Sequence, residues 1–236
     1  MKKGLTELVF VVDRSGSMTG LESDTIGGLN ATLKAHRGED GEAVVSTILF
    51  DDKVEVLHDR LPIANVAPIT EKEYWVRGCT ALLDAVGGAV KHISRVHGYL
   101  PEEYRPEHTI VVITTDGMEN ASREYSYDQV KALISQKEAE GWNFLFLGAN
   151  IDAAAEAGRI GISPDFAATY VADGKGTQVM HQAQCAATVA MRTGAPMPKG
   201  SWKREIEKDT ASRGSQGEHG GESKRKGMFG LFGKRQ

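Results

Sequence analysis

Short, continuous apolar runs alternate along the chain with stretches whose apolar residues recur every three or four positions. The first kind reads as buried strand and the second as amphipathic helix. Strands are expected at Leu8–Val12, at Ala43–Phe50 and at Val54–Leu57. The connection Asp51-Asp52-Lys53 between the last two is too short for anything but an antiparallel pair. Further strands are expected at Thr109–Thr114, at Asn143–Leu147 and, more weakly, at Ala167–Val171. Between them, residues 21–36 place Leu21, Ile26, Leu29 and Leu33 on one helical face. A second helix starts near Thr80 and carries Leu82, Leu83, Val86, Val90, Ile93 and Val96. Helices are also expected from Tyr127 to Glu140, stopped by Gly141, from Ala153 to Arg159 and from Thr177 to Arg192.

This alternation implies an α/β fold: a doubly wound, Rossmann-like, mostly parallel six-stranded sheet with helices on both faces. The expected strand order is 3-2-1-4-5-6, with the third strand as an antiparallel edge. Residues 5–193 form the expected domain, and 194–236 a flexible basic C-terminal tail. Charge supports that division. The net charge of -4 combines an acidic body with a tail holding ten Lys and Arg against five Asp and Glu. An acidic body does not suit a nucleic-acid-binding surface. The two cysteines, Cys79 and Cys185, make no disulfide framework and fit a reducing compartment. Lys2 and Lys3 precede an apolar stretch, but Glu7 interrupts it and no small-residue cleavage site follows. No run approaches the roughly 20 apolar residues of a membrane span, so a cytoplasmic protein without a transmembrane segment is expected.

Candidate chemistry gathers at the end of the first strand. Asp13-Arg14-Ser15-Gly16-Ser17-Met18 offers a carboxylate and two hydroxyls at alternate residues. In an extended segment, Asp13, Ser15 and Ser17 point the same way. Hard oxygen donors so arranged suit a hard cation such as magnesium. Ligands in an open α/β sheet bind at the carboxyl ends of strands where the winding reverses. The expected order puts Asp116, at the end of the fourth strand, beside Asp13. Thr80, opening the intervening helix at the same edge, adds another oxygen. Each residue alone has an ordinary reading as a helix cap or a turn. Their convergence on one edge favours a metal site.

Three segments, Asp13–Met18, Thr80–Ala85 and Thr115-Asp116-Gly117, together resemble the metal-ion-dependent adhesion site of von Willebrand factor A (vWA) domains. The resemblance spans about residues 5–193. It implies that Ser15, Ser17 and Thr80 supply hydroxyl ligands to Mg²⁺ or Mn²⁺, while Asp13 and Asp116 act largely through water or hydrogen bonds. It further implies that an acidic side chain of a partner protein completes the shell, so that the protein binds rather than turns over substrate. Free-standing domains of this kind resemble those of bacterial stress systems, including tellurium resistance, and others work with AAA+ ATPases.

The competing reading is a Mg²⁺-dependent phosphohydrolase or phosphotransferase with Asp13 as nucleophile, Asp116 as a metal ligand and Lys53 or Arg77 reaching in. No phosphate-binding or dinucleotide fingerprint is present. His181 and Cys185 stand four apart on a helix but lack two further ligands for a soft metal. Asn150 and Asp152 follow the fifth strand and border the site, Asp152 also suiting a helix N-cap. In the tail, Lys224–Arg235 flanks Met228, Phe229, Leu231 and Phe232 with basic clusters, a composition suited to docking a protein or an anionic membrane surface.

Overall fold

The computed structural model describes residues 1–218. The basic and aromatic stretch Lys224–Arg235 lies outside the described residues. In chain order the elements are β1 (Lys2–Asp13), α1 (Glu22–Arg37), β2 (Glu42–Phe50), β3 (Val54–Pro62) and α2 (Leu82–Tyr99). They continue as β4 (Pro106–Thr115), α3 (Tyr127–Ala139), β5 (Asn143–Ala149), α4 (Ala153–Arg159), β6 (Ala167–Tyr170), α5 (Gly174–Thr193) and α6 (Arg204–Glu218).

The sheet runs β3-β2-β1-β4-β5-β6, with β3 antiparallel to β2 and every other pair parallel. This is the expected order. Strand alternation divides the interior in two. Leu8, Phe10 and Val12 face a layer built with Leu29 and Leu33 of α1 and Met180 and Ala187 of α5. Val9 and Val11 face the other way, onto Val86, Val90 and Ile93 of α2, Val130 and Ile134 of α3 and Ala157 of α4. Because both faces are covered, the central strands can be apolar at every position. Gly141, past the end of α3, has φ 93, the left-handed value expected of a glycine at that position.

Three differences from the sequence-based expectation are physical. Glu7, which interrupts the apolar pattern of β1, sits inside the strand and is fully buried. Arg60 Nε donates to its Oε2 at 2.8 Å, and His97 Nε2 lies 3.2 Å from the same oxygen. Pairing makes a buried carboxylate tolerable, so β1 begins at Lys2 rather than Leu8. The edge strand β3 likewise runs on to Pro62. The third difference is a correction. Residues 194–218 are not a flexible tail, because a turn at Ser201–Lys203 packs against α5 and the following α6 against β6 and α5, burying Trp202 of the turn and Ile206 of the helix in the core. Trp202 Nε1 also donates to the Asp165 carbonyl at 2.9 Å. The charge-rich composition concealed two large apolar anchors.

Candidate metal centre

β1 and β4 are parallel neighbours in register from Thr6↔His108 to Val12↔Thr114. Their carboxyl ends therefore lie side by side, where the direction of winding reverses. Asp13 and Thr115 end the two strands, and Asp116 follows directly. Thr115 Oγ1 donates to Asp13 Oδ2 at 2.5 Å, so a hydrogen bond ties the two strand ends together.

The hydroxyls do converge, but not by continued extension. Ser15 is extended, with φ -66 and ψ 168, whereas Gly16–Met18 forms a single 3₁₀ turn. Met18 is fully buried and pins that turn, and Ser17 is swung back toward Ser15. The two oxygens are 3.1 Å apart. Thr80 lies two residues before α2, whose N-cap is Ala81, so Thr80 is not the helix cap. Instead, its backbone N–H donates to Asn120 Oδ1 at 2.9 Å, which fixes the loop and leaves the hydroxyl free to face the site. Thr80 Oγ1 then donates to Ser15 Oγ at 3.0 Å, and Ser17 Oγ to Asp116 Oδ1 at 2.5 Å. All five expected residues are thus in one cluster. Four form a continuous chain of oxygens, and Asp13 stands behind it, accepting from the Ser15 N–H at 2.6 Å.

This donor set fits a hard divalent cation. In an octahedral shell with bonds near 2.1 Å, adjacent oxygens are about 3.0 Å apart. The spacings among Thr80, Ser15 and Ser17 match that edge length. Asp116 Oδ2 is buried with no hydrogen-bond partner. A Cβ at residue 117 would sit 3.0 Å from Thr80 Oγ1 and 3.2 Å from Ser17 Oγ, so glycine keeps the space before the hydroxyls clear. Electrostatics agree. Burial pushes the Asp13 carboxyl up to about 6, and burial also raises that of Asp116. A positive ion among these oxygens would reverse both shifts. Ser17 lies on the surface, so the open side of the cluster faces solvent.

Several residues that hold the site were not legible as such. Tyr74 Oη donates to the Asp13 carbonyl at 2.6 Å. Arg14 is fully buried and turned away from the hydroxyls, with Nε on Asp51 Oδ2 at 2.9 Å and Nη2 on Glu55 at 2.7 Å. Arg77 Nε binds the same Asp51 oxygen at 2.7 Å, so it is held on that carboxylate. Asp51 also accepts, through its carbonyl, the Ala81 N–H at 2.8 Å, and Gly78 accepts from the Gly16 N–H at 3.1 Å. The β2–β3 turn thereby joins the Ser15 loop to the Thr80 loop. An Asp at the end of an apolar strand was the only sequence signal for Asp51.

Asn150 and Asp152 border a hollow of about 460 Å³ shared with Asp116, while Asp152 caps α4 by accepting the Ala155 N–H at 3.0 Å. Among the described residues, no three His, Cys, Asp or Glu side chains are grouped to hold a metal, so His181 and Cys185 form no soft-metal site.

No family model and no curated protein matches the chain in sequence. Solved structures do match in fold. Proximal thread matrix protein 1 from the mussel byssus superposes with a TM-score of 0.53 at 17% identity, over 79% of this chain and 46% of that one. A von Willebrand factor type A structure from Catenulispora acidiphila gives 0.55 at 15% identity, over 78% and 43%. The manganese-loaded TRAP protein of Plasmodium vivax gives 0.52 at 16% identity, over 75% and 72%. The mussel protein has also been solved with a zinc-occupied MIDAS motif. The chain spans less than half the length of the mussel and Catenulispora chains. Its fold is that of a von Willebrand factor A domain.

Proposed function

We propose that the chain is a divalent-cation-dependent protein-binding module. In this reading Ser15, Ser17 and Thr80 hold Mg²⁺ or Mn²⁺ through their hydroxyls, while Asp13 and Asp116 balance its charge. Asp13 orients Ser15 from behind, and Asp116 bonds Ser17. A carboxylate from a partner protein takes the solvent-facing position. The observation that carries the reading is the Thr80–Ser15–Ser17–Asp116 chain, spaced for an octahedral edge and open to solvent at Ser17. The zinc- and manganese-bound states of fold neighbours support a divalent ion in this position.

The phosphotransfer alternative is weaker on the same geometry. Both carboxylate oxygens of Asp13 already accept hydrogen bonds, from the Ser15 N–H and the Thr115 hydroxyl. A nucleophile needs a free lone pair directed at substrate. Arg77 is committed to Asp51 rather than to a transferred charge. No helix among the described residues is long and apolar enough to cross a membrane. A reducing, cytoplasmic setting agrees with two free thiols, Cys79 and Cys185. A role in a stress-response or ATPase-associated complex rests on the sequence resemblance alone.

Mn²⁺ provides the direct test. Added to the labelled protein, it should broaden the amide resonances of residues 14–18, 80 and 116–118 and leave distant ones sharp, and EDTA should restore them. Broadening spread evenly over acidic surface residues would overturn the assignment.

A further inference from the structure

A cleft of about 740 Å³ opens between α1 and α5 and shares no residue with the hydroxyl cluster. Its size is that of a small-molecule site. Two adjacent glycines in the middle of α1, Gly27 and Gly28, face it, although glycine is a poor helix former. Gly28 has a packing reason. A Cβ there would lie 1.9 Å from His181 Cδ2, so the imidazole of α5 rests directly on the α1 backbone. Gly27 has no such neighbour, since nothing lies within 4 Å of a Cβ built on it. That position is open cleft.

His181 is only 7% exposed, and neither of its ring nitrogens has a hydrogen-bond partner. Burial lowers its pKa to about 4, offset only in part by the neighbouring Gln184 side chain, which makes no hydrogen bond to the ring. At neutral pH the ring is therefore neutral, and it stands in the cleft wall with one N–H donor and one lone pair enclosed and unmet, which is unfavourable for buried polar atoms. Asp24 stands one helical turn before Gly28, about 6 Å along α1. Among the described residues it is the only Asp or Glu on the cleft wall, and no Lys or Arg lines it. Its carboxylate makes no hydrogen bond or ion pair among the described residues. Asp24 Oδ2 would be 3.1 Å from a Cβ on Gly174, the first residue of α5, so the carboxylate lies beside the positive end of that helix. Ala31 and Ala186 supply small apolar walls between the polar groups.

We propose that this cleft binds a small organic cation rich in N–H donors, an amidinium or a primary amine. Its charge meets Asp24, and its polar edge meets the unpartnered imidazole of His181. An anion is disfavoured because the wall offers a carboxylate and a neutral ring but no cation. The inference is independent of the metal centre.

Benzamidine and benzoate, matched in shape and opposite in charge, test it on the full chain by NMR. Benzamidine should shift the Gly27 and Gly28 amides and the His181 ring signals saturably, and benzoate at the same concentration should not. Asp24→Asn should weaken benzamidine roughly tenfold. Gly27→Phe fills the cleft from a position with room for a side chain, and should abolish the shifts while keeping the native melting profile. The proposal is overturned if benzamidine leaves these resonances unmoved, the cleft then holding water only. It is equally overturned if benzoate binds as well, or if Gly27→Phe binds unchanged.

Discussion

Arg14 Nε donates to Asp51 Oδ2 at 2.9 Å, and both side chains are fully shielded from solvent. This buried pair lies behind the hydroxyl cluster and joins β1 to the turn after β2. Glu55 and Arg77 add further charge contacts, and Trp75 covers both guanidinium groups, 5.1 Å from Arg14 and 5.6 Å from Arg77. Burial pushes the Asp51 carboxyl up, but hydrogen bonds from Arg77, Lys53 and Arg14 outweigh it and hold the group below the usual carboxylate range. Without Arg14, Asp51 keeps only the partly exposed Arg77 as a counter-charge, so the loss approaches the roughly 3–5 kcal/mol of a broken buried pair as an upper bound. Arg14→Met should lose up to that much in urea unfolding at pH 7. The double variant Arg14→Met/Asp51→Leu should recover a large part of it. Additive losses would mean that the two charges do not act as a pair.

The metal centre predicts separable effects on binding and on folding. Thr80→Ala and Asp116→Asn should keep the native circular dichroism yet lose the rise in melting temperature caused by Mg²⁺ or Mn²⁺. At a metal concentration 100 times the dissociation constant, that rise corresponds to about 2.7 kcal/mol in the wild type. An unaltered metal response in both variants would remove these residues from the site.

Gly117→Ala examines the space rather than the ligands. The added Cβ would stand within 3.0 Å of Thr80 Oγ1 and 3.2 Å of Ser17 Oγ, on the side where an ion would sit. The variant should fold and bind Mn²⁺ at least about tenfold more weakly by titration, a loss near 1.4 kcal/mol. Equal affinity would show that the ion lies elsewhere.

His36 should make stability depend on pH. It is fully buried, with Nε2 2.9 Å from Thr188 Oγ1. Burial, aided by the nearby Arg192 charge, lowers its pKa from 6.5 to about 4. Below pH 6.5 the unfolded ring takes up a proton that the folded ring refuses until about pH 4. Stability contributed by the neutral ring is complete above 6.5, falls through that window and levels off below it. The loss is about 3 kcal/mol. His36→Gln carries no titratable proton, so its unfolding free energy should fall less between pH 7 and pH 4 than that of the wild type. Parallel pH profiles would contradict the assignment.

The turn that leads into the C-terminal helix gives a further expectation. Trp202→Ala removes a buried indole and its hydrogen bond to Asp165, and should destabilise the domain by about 3–5 kcal/mol. A loss below about 0.5 kcal/mol would restore the view of this segment as a loose tail.

Local pattern determined the six strands and the five helices up to residue 193, and with them the two-faced sheet, because burial on both faces leaves continuous apolar runs that are hard to mistake. It also determined which oxygens form the candidate site, since Asp13, Ser15 and Ser17 are close in sequence and fold topology places Asp116 beside them. Tertiary structure decided the rest. The 3₁₀ turn that points Ser17 inward depends on Met18 finding the core, which periodicity does not reveal. Asn120, Tyr74, Thr115 and Asp51 acquire their roles only through contacts across the fold, and Arg14 was known only to point away, not what it would meet. The segment after residue 193 is charged along most of its length, so its two apolar anchors, Trp202 and Ile206, carry a signal only once β6 and α5 exist to receive them. Burial is a property of the assembled fold, and a sequence reports it clearly only where many neighbouring residues share it.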